Sequence, residues 1–205
     1  MLSELKITEF LSRTASSDPV PGGGSVSALG AAMAAALSEM VASITIGRKG
    51  YETYEKEMLE IVQKARSLRK KLVEDIDRDS DAYSQVLAAF RLANDTEEHK
   101  NERSQAIQDG LKQAALIPLG VAKDASELLD LAGKVVVRGN KNAVTDAAVA
   151  AMMARTAILG ALLNVKINLK SIKDLSFVKD VAGQVQEIES RVERKEKNIL
   201  DQIDL

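Results

Sequence analysis

From Tyr51 to Ala93 the chain has neither proline nor glycine, and its apolar residues recur every three or four positions. Met58, Ile61, Val62, Ala65, Leu68, Leu72 and Ile76 keep that spacing, and Tyr83, Val86, Leu87 and Phe90 continue it. One very long helix, or two in line, satisfies such a pattern. The rest of the sequence agrees. Only three prolines occur in 205 residues, aromatics make up 3%, and alternating strand patterns are missing. Val135-Val136-Val137 is too short a β-branched run to build a sheet on.

Thr8 is expected to cap a short first helix carrying Phe10, Leu11 and Ala15. It stops before Ser17-Asp18-Pro19-Val20-Pro21-Gly22-Gly23-Gly24-Ser25, the strongest loop signal in the chain. A second helix, about Ser25 to Gly47, has small residues on nearly every face and is expected at the centre of the assembly. Asn94-Asp95 ends the long third helix. A fourth runs from about Glu97 to Ala132, kinked where Pro118 removes a backbone donor, and Gly133 and Arg138-Gly139-Asn140 mark the next turn. Asn142 or Thr145 can cap another alanine-rich helix reaching about Ile167, and the last helix spans Leu175 to Ile203. The expected fold is all-α: a single domain over 1–205, an antiparallel bundle of five to six long helices. Two alanine-rich helices are more than one small bundle needs at its centre, which predicts a homodimer. Met33, Met40, Met152 and Met153 are read as core filler.

Composition removes several chemistries. A net charge of -2 argues against nucleic-acid binding. Cysteine is absent, so disulfides and thiolate chemistry are excluded, which suits a reducing, cytoplasmic setting. The single histidine, His99, lies among Glu97, Glu98 and Lys100 and reads as a solvated helix end, so no multi-histidine metal site exists. No basic-then-apolar leader opens the chain. Residues 26–47 are broken by serines and Glu39 and followed by Arg48 and Lys49, which fits a buried helix better than a membrane span.

Three constellations could carry chemistry. Gly22, Gly23, Gly24 and Ser25 lead into a helix, where exposed backbone N–H groups and the helix dipole favour a carboxylate, phosphate or carbonyl oxygen. A tight turn capped by Ser25 explains the same residues. In the long helix Asp77 and Asp81 share one face, and Asp79 and Tyr83 another. Asp81 and Tyr83 fall where the exposed stretch Arg66–Arg78 passes into the apolar segment around Val86, so Asp81 could be partly desolvated and act as an acid. A solvated acidic face is the bland alternative. The third is Asn140, Lys141 and Asp146 at the start of the alanine-rich helix that ends in Asn164 and Asn168. Asp146 complements the helix dipole without any functional role, whereas amides near the end of an apolar helix need partners. Arg103, Lys141, Arg48 and Lys49 could receive an acidic substrate tail.

The stretch Phe10-Leu11 through Pro19-Val20-Pro21-Gly22-Gly23-Gly24-Ser25-Val26-Ser27-Ala28-Leu29-Gly30 to Met40-Val41 resembles the N-terminal signature of the formiminotetrahydrofolate cyclodeaminase family. Asp81-Ala82-Tyr83 with Val86, then Ala106-Ile107-Gln108 through Pro118, then Gly139-Asn140 to Thr145-Asp146, Gly160-Ala161 and Asn164-Val165-Lys166-Ile167-Asn168-Leu169 follow in the family's order. Thr145 stands where serine is more usual, a mild departure because both can cap. The resemblance covers nearly the whole chain. It implies an all-helical homodimer without metal or redox cofactor, acting on a folate that can be polyglutamylated, with no nucleic-acid or membrane partner. The implied reaction converts 5-formiminotetrahydrofolate to 5,10-methenyltetrahydrofolate and ammonia, a step of histidine degradation. The chain resembles only the cyclodeaminase half of the fused enzymes, which leaves a separate formiminotransferase as a partner to consider. Methenyltetrahydrofolate cyclohydrolase shares the fold, and a non-catalytic helical interaction protein is the third alternative. On the cyclodeaminase reading, Asp81 or Asp146 transfers protons, and Asn140, Asn164 and Asn168, with Tyr83, orient the pterin. The glycine loop with Arg103 or Lys141 receives the glutamate tail.

Overall fold

The computed structural model describes residues 1–204. Its helices are α1 Ile7–Thr14, α2 Gly23–Ser43, α3 Glu55–Phe90, α4 Glu97–Arg138, α5 Val144–Leu169 and α6 Leu175–Leu200, with 3₁₀ turns at Leu2–Glu4, Glu52–Tyr54 and Lys141–Ala143. No strand occurs among the described residues. The Tyr51–Ala93 pattern resolves into one uninterrupted helix, α3.

α2 packs against α3, α4 and α5, which makes it the centre of the bundle. Close pairs fix the directions. Ser25 meets Asp79 and Glu39 meets Arg66, so α2 and α3 are antiparallel. Gly23 lies against Asn164 and Gly30 against Ala157, so α2 and α5 are antiparallel too. Lys64 pairs with Glu127 and Glu57 with Arg138 across α3 and α4. Ala28, Ala31, Ala34 and Ala35 of α2, and Ala147, Ala150, Ala154 and Ala161 of α5, are inaccessible to solvent. Their methyl side chains let the helix backbones approach closely, and the dense interior that results is what the alanine-rich sequence specifies. Beyond the start of α2, the last third of α3 and the start of α4 continue as an arm about 16 Å long from Asp79 to Phe90.

Several expected helix ends shift for local reasons. Thr8 lies inside α1, whose N-cap is Lys6. Ser25 lies inside α2, whose N-cap is Gly22. α5 starts behind Ala143 without a side-chain cap, since Asn142 belongs to the preceding 3₁₀ turn. Gly133 does not stop α4. A Cβ there would lie 3.1 Å from Ile199 Cγ1, so the glycine admits α6. Pro118 lies inside α4, as the expected helix had it.

α2 and the Lys141–Leu169 segment are long and apolar enough to cross a bilayer, but 56% and 50% of the most apolar windows are buried inside the bundle. The faces that remain outside carry Val26, Met33 and Met40 on α2 and Met152, Leu163 and Ile167 on α5, each at least 39% exposed. Met33, Met40 and Met152 are therefore surface residues rather than the core filler the sequence implies, and Met153 is only partly buried. Three of the four charged side chains of these helices turn to neighbours: Glu39 to Arg66 and Arg69, Arg155 to Glu193 and Glu196, and Lys166 to Glu189, which leaves Asp146.

Glu39 ties α2 to α3 by accepting from Arg66 Nε at 2.8 Å and Arg69 Nε at 2.9 Å. Burial disfavours the carboxylate, yet the two guanidinium groups outweigh it and hold its pKa below the ordinary value. A depressed pKa contributes stability above the unfolded pKa and loses it as pH falls through the folded one. Glu39→Gln is expected to lower the melting temperature by about 2–4 °C at pH 7, on the order of 1 kcal/mol for a partly exposed pair of this kind. Thermal circular dichroism should show the gap closing once the pH drops below the glutamate range.

Candidate functional site

The first turn of α2 is left without a cap of its own. Its first intrahelical bond runs from Val26 N–H to Gly22 O at 3.0 Å, so the helix does not use the N–H groups of Gly23, Gly24 and Ser25. α3 crosses this turn at Asp79. A Cβ on Gly24 would fall inside the Asp79 carboxyl group, so only glycine admits the acid there. On the other side α5 brings Asn164, whose Nδ2 would lie 3.0 Å from a Cβ on Gly23. The glycine corner is thus bracketed by an acid and an amide from two different helices.

Ser25 is fully buried, and its Oγ lies 3.0 Å from both Ile76 O and Asp79 Oδ2. One hydroxyl proton cannot serve two acceptors. Both contacts become hydrogen bonds when the carboxyl is protonated: Asp79 then donates to Ser25 Oγ, which donates to Ile76 O. Burial raises the Asp79 pKa above its ordinary value, against the opposing effect of hydrogen bonds from the Ser25 side chain and backbone. Burial outweighs those bonds and favours an acid that keeps its proton, which the Ser25 contacts can accommodate.

The other candidates divide between this corner and two distant places. Asp81 is exposed on α3, so the expectation of a desolvated Asp81 fails. The desolvated carboxyls of α3 are Asp75, which is paired with Arg78, and Asp79. Asp77, on the Asp81 face, is occupied with the N-terminus, accepting from Leu2 N–H and Ser3 Oγ at 2.5 Å. Tyr83 follows Asp79 by one turn and is 39% exposed. Asn164 donates to Gly160 O at 2.9 Å beside Gly23. Asn168, one turn on, has its Nδ2 committed to Ala114 O and Asn164 O. Arg103 lies at the end of the arm, donating to Phe90 O at 3.0 and 3.2 Å. With Lys100, Gln108 and Lys173 it lines a cavity of about 510 Å³.

Asp146, Asn140 and Lys141 lie at the opposite end of the bundle. Asp146 precedes Asn164 by 18 residues of one helix, about 27 Å. Asn140 is buried and structural in its contacts: its Oδ1 accepts from Asn142 N–H at 3.1 Å, and its own N–H donates to Thr45 Oγ1 at 2.8 Å. The Lys141 side chain is exposed, and its N–H donates to Tyr51 Oη at 3.0 Å. Within one chain, therefore, Gly22–Ser25, Asp79, Tyr83, Asn164 and Asn168 converge, whereas Asn140, Lys141 and Asp146 do not. Among the described residues, no group of three or more histidine, aspartate or glutamate side chains is arranged to hold a metal ion.

A model of the formiminotransferase-cyclodeaminase family matches residues 6–187. A methenyltetrahydrofolate cyclohydrolase of Methylorubrum extorquens is 38% identical over 174 residues, 85% of this chain and 84% of that protein. The formimidoyltransferase-cyclodeaminase of Sus scrofa is 33% identical over 195 residues, 95% of this chain but 36% of that protein, so the chain spans about a third of the fused enzyme. The crystal structure of a formiminotetrahydrofolate cyclodeaminase from Thermotoga maritima aligns with a TM-score of 0.89 at 32% identity, covering 99% of this chain and 98% of that one. The glycine corner thus sits in a chain that belongs to the formiminotransferase-cyclodeaminase family.

Proposed function

We propose that the chain is a cyclodeaminase that converts 5-formiminotetrahydrofolate to 5,10-methenyltetrahydrofolate with release of ammonia. The observation that carries this reading is the desolvated carboxyl of Asp79 set against the glycine corner, in a chain whose relatives act on folate one-carbon units. N10 of the folate adds to the formimino carbon and gives up its proton. The resulting tetrahedral carbon then expels its amino group, which must leave as ammonia after gaining a proton. Asp79 supplies that proton, and a second carboxylate takes the proton N10 releases. The free N–H groups of Gly23 and Gly24 with Asn164 hold the pterin so that N10 and the carbon stay within reach. Arg103 and the nearby lysines receive the acidic tail. Every bond change is an addition or elimination coupled to proton transfer, which needs neither metal nor redox carrier.

The second carboxylate comes from a second copy in this proposal. The uncharged faces of α2 and α5 can pair about a two-fold axis lying in the plane of the face and perpendicular to the helices. Such pairing exchanges the ends of the bundle and brings Asp146 of the partner subunit to the level of Asn164. The face measures about 30 Å by 20 Å, on the order of the ~800 Å² per partner that a standard interface buries.

Hydrolysis of methenyltetrahydrofolate is the second reading, favoured by the 38% identity with a cyclohydrolase over most of both chains. There water adds to the same carbon and a ring nitrogen leaves, and Asp79 serves the same proton transfer. Assaying both folates side by side separates the two. The cyclodeaminase is expected to form ammonia and the methenyl chromophore in equal amounts from the formimino substrate. Hydrolysis of the methenyl compound alone would establish the cyclohydrolase, and turnover of neither would discard both.

A further inference from the structure

We propose that Pro118 and Asn168 form a single positioning device that fixes Asn164 at the glycine corner. α4 runs through Pro118 without a break. Proline has no N–H, so Ala114 O loses the donor that an α-helix provides four residues on. Ala114 and Pro118 are both buried, so solvent does not replace it. Asn168 does: its Nδ2 lies 2.8 Å from Ala114 O and 2.9 Å from Asn164 O. One carboxamide therefore joins the gap in α4 to the last turns of α5, where Asn164 borders Gly23. With both donors engaged, Asn168 acts through Asn164 rather than as a donor to substrate. Pro118 makes Ala114 O depend on Asn168 alone, whereas an ordinary residue at 118 would add its own N–H at the second lone pair of that carbonyl without displacing Asn168.

The functional half of this proposal rests on the glycine corner being the folate site, while the structural half does not. A double-mutant cycle reads both. Asn168→Leu keeps the side-chain shape and removes both donors. It is expected to lower the melting temperature by about 3–8 °C, the consequence of one buried unsatisfied carbonyl. In the Pro118→Ala background the new N–H supplies Ala114 O, and Asn168→Leu should then cost less than about 1–2 °C. Activity should not follow stability. Pro118→Ala is the reference for activity, because Asn168 keeps its bond to Ala114 O in it. Pro118→Ala/Asn168→Leu regains its melting temperature yet keeps a loss of about ten-fold in kcat/KM, seen mainly in KM, because Asn164 is no longer tied to α4.

An equal melting loss in both backgrounds would overturn the link between the two residues. Recovery of kcat/KM along with stability would overturn the positioning role and leave Asn168 a structural filler. A parent that turns over neither folate refutes the positioning half together with the functional reading, while the melting cycle still judges the pair. If Asn168→Leu does not fold, Asn168→Ser, which keeps one donor, completes the cycle with the same expected pattern.

Discussion

Asp79→Asn is expected to reduce turnover by about 10²–10⁴-fold while the protein folds and remains at least as stable as the parent. Asparagine keeps the shape that fits against Gly24 and can donate an amide N–H to Ser25 Oγ, but it has no acidic proton to give the departing nitrogen. Burial raises the Asp79 pKa, so the folded chain holds that proton more tightly than the unfolded chain does. Between the ordinary carboxylate pKa and the raised one, the folded state binds more protons, and stability falls as pH rises through that window. An amide in place of the carboxyl does not titrate there and so removes this loss. The variant should therefore match the parent in acid and melt a few degrees higher above the window, a gain of about 2–4 °C for each ~1 kcal/mol recovered. The alkaline limb of the kcat/KM profile, where the acid loses its proton, should disappear with it. Asp81→Asn, on the exposed face, should leave rate and profile nearly unchanged. Equal losses in the two variants, or a normal rate for Asp79→Asn, would remove Asp79 from the chemistry.

Much of this architecture can be read from residues alone, and the failures share a cause. The unbroken apolar spacing of α3, the alanines of α2 and α5, and the glycine loop are local signals, and each element forms where they lie. Asp79 has a signal too. Leu72, Ile76, Tyr83, Val86 and Phe90 step along one stripe, and position 79 falls in phase with them, so a carboxylate occupies an apolar place. The edge of the exposed stretch points to Asp81 instead, because it marks a change of composition and carries no phase. Gly133 reads as a stop and Pro118 as a kink because each weakens a helix in isolation. Inside the bundle, Ile199 and Asn168 supply what those residues lack, and the partners lie 66 and 50 positions away in sequence. The separation of Asp146 from the corner is likewise invisible to motif order, because it follows from how many turns α5 makes between two polar ends.

Charge placed on the outer face of α2 and α5 should abolish both assembly and activity. Met33 and Leu163 lie on that face, 48% and 64% exposed, and neither is needed to fill the core of one chain. Met33→Asp/Leu163→Asp is therefore expected to keep its helical circular dichroism. Its light-scattering mass should fall to that of one chain, because an unpaired carboxylate cannot be buried between apolar faces at tolerable cost. Turnover should vanish with the dimer, since Asp79 and Asp146 of the partner subunit meet only there in the proposed arrangement. A complementation experiment separates a shared site from mere mutual stabilisation. Asp79→Asn and Asp146→Asn chains are each expected to be inactive alone. Unfolded together and refolded as a mixture, half of the dimers carry one chain of each kind. One of the two sites in such a dimer then has both carboxylates, so about a quarter of the parent activity should return. A mixture that stays inactive although mixed dimers form would show that Asp146 serves its own chain or none. A parent that runs as a monomer at full turnover would dispose of the shared site altogether.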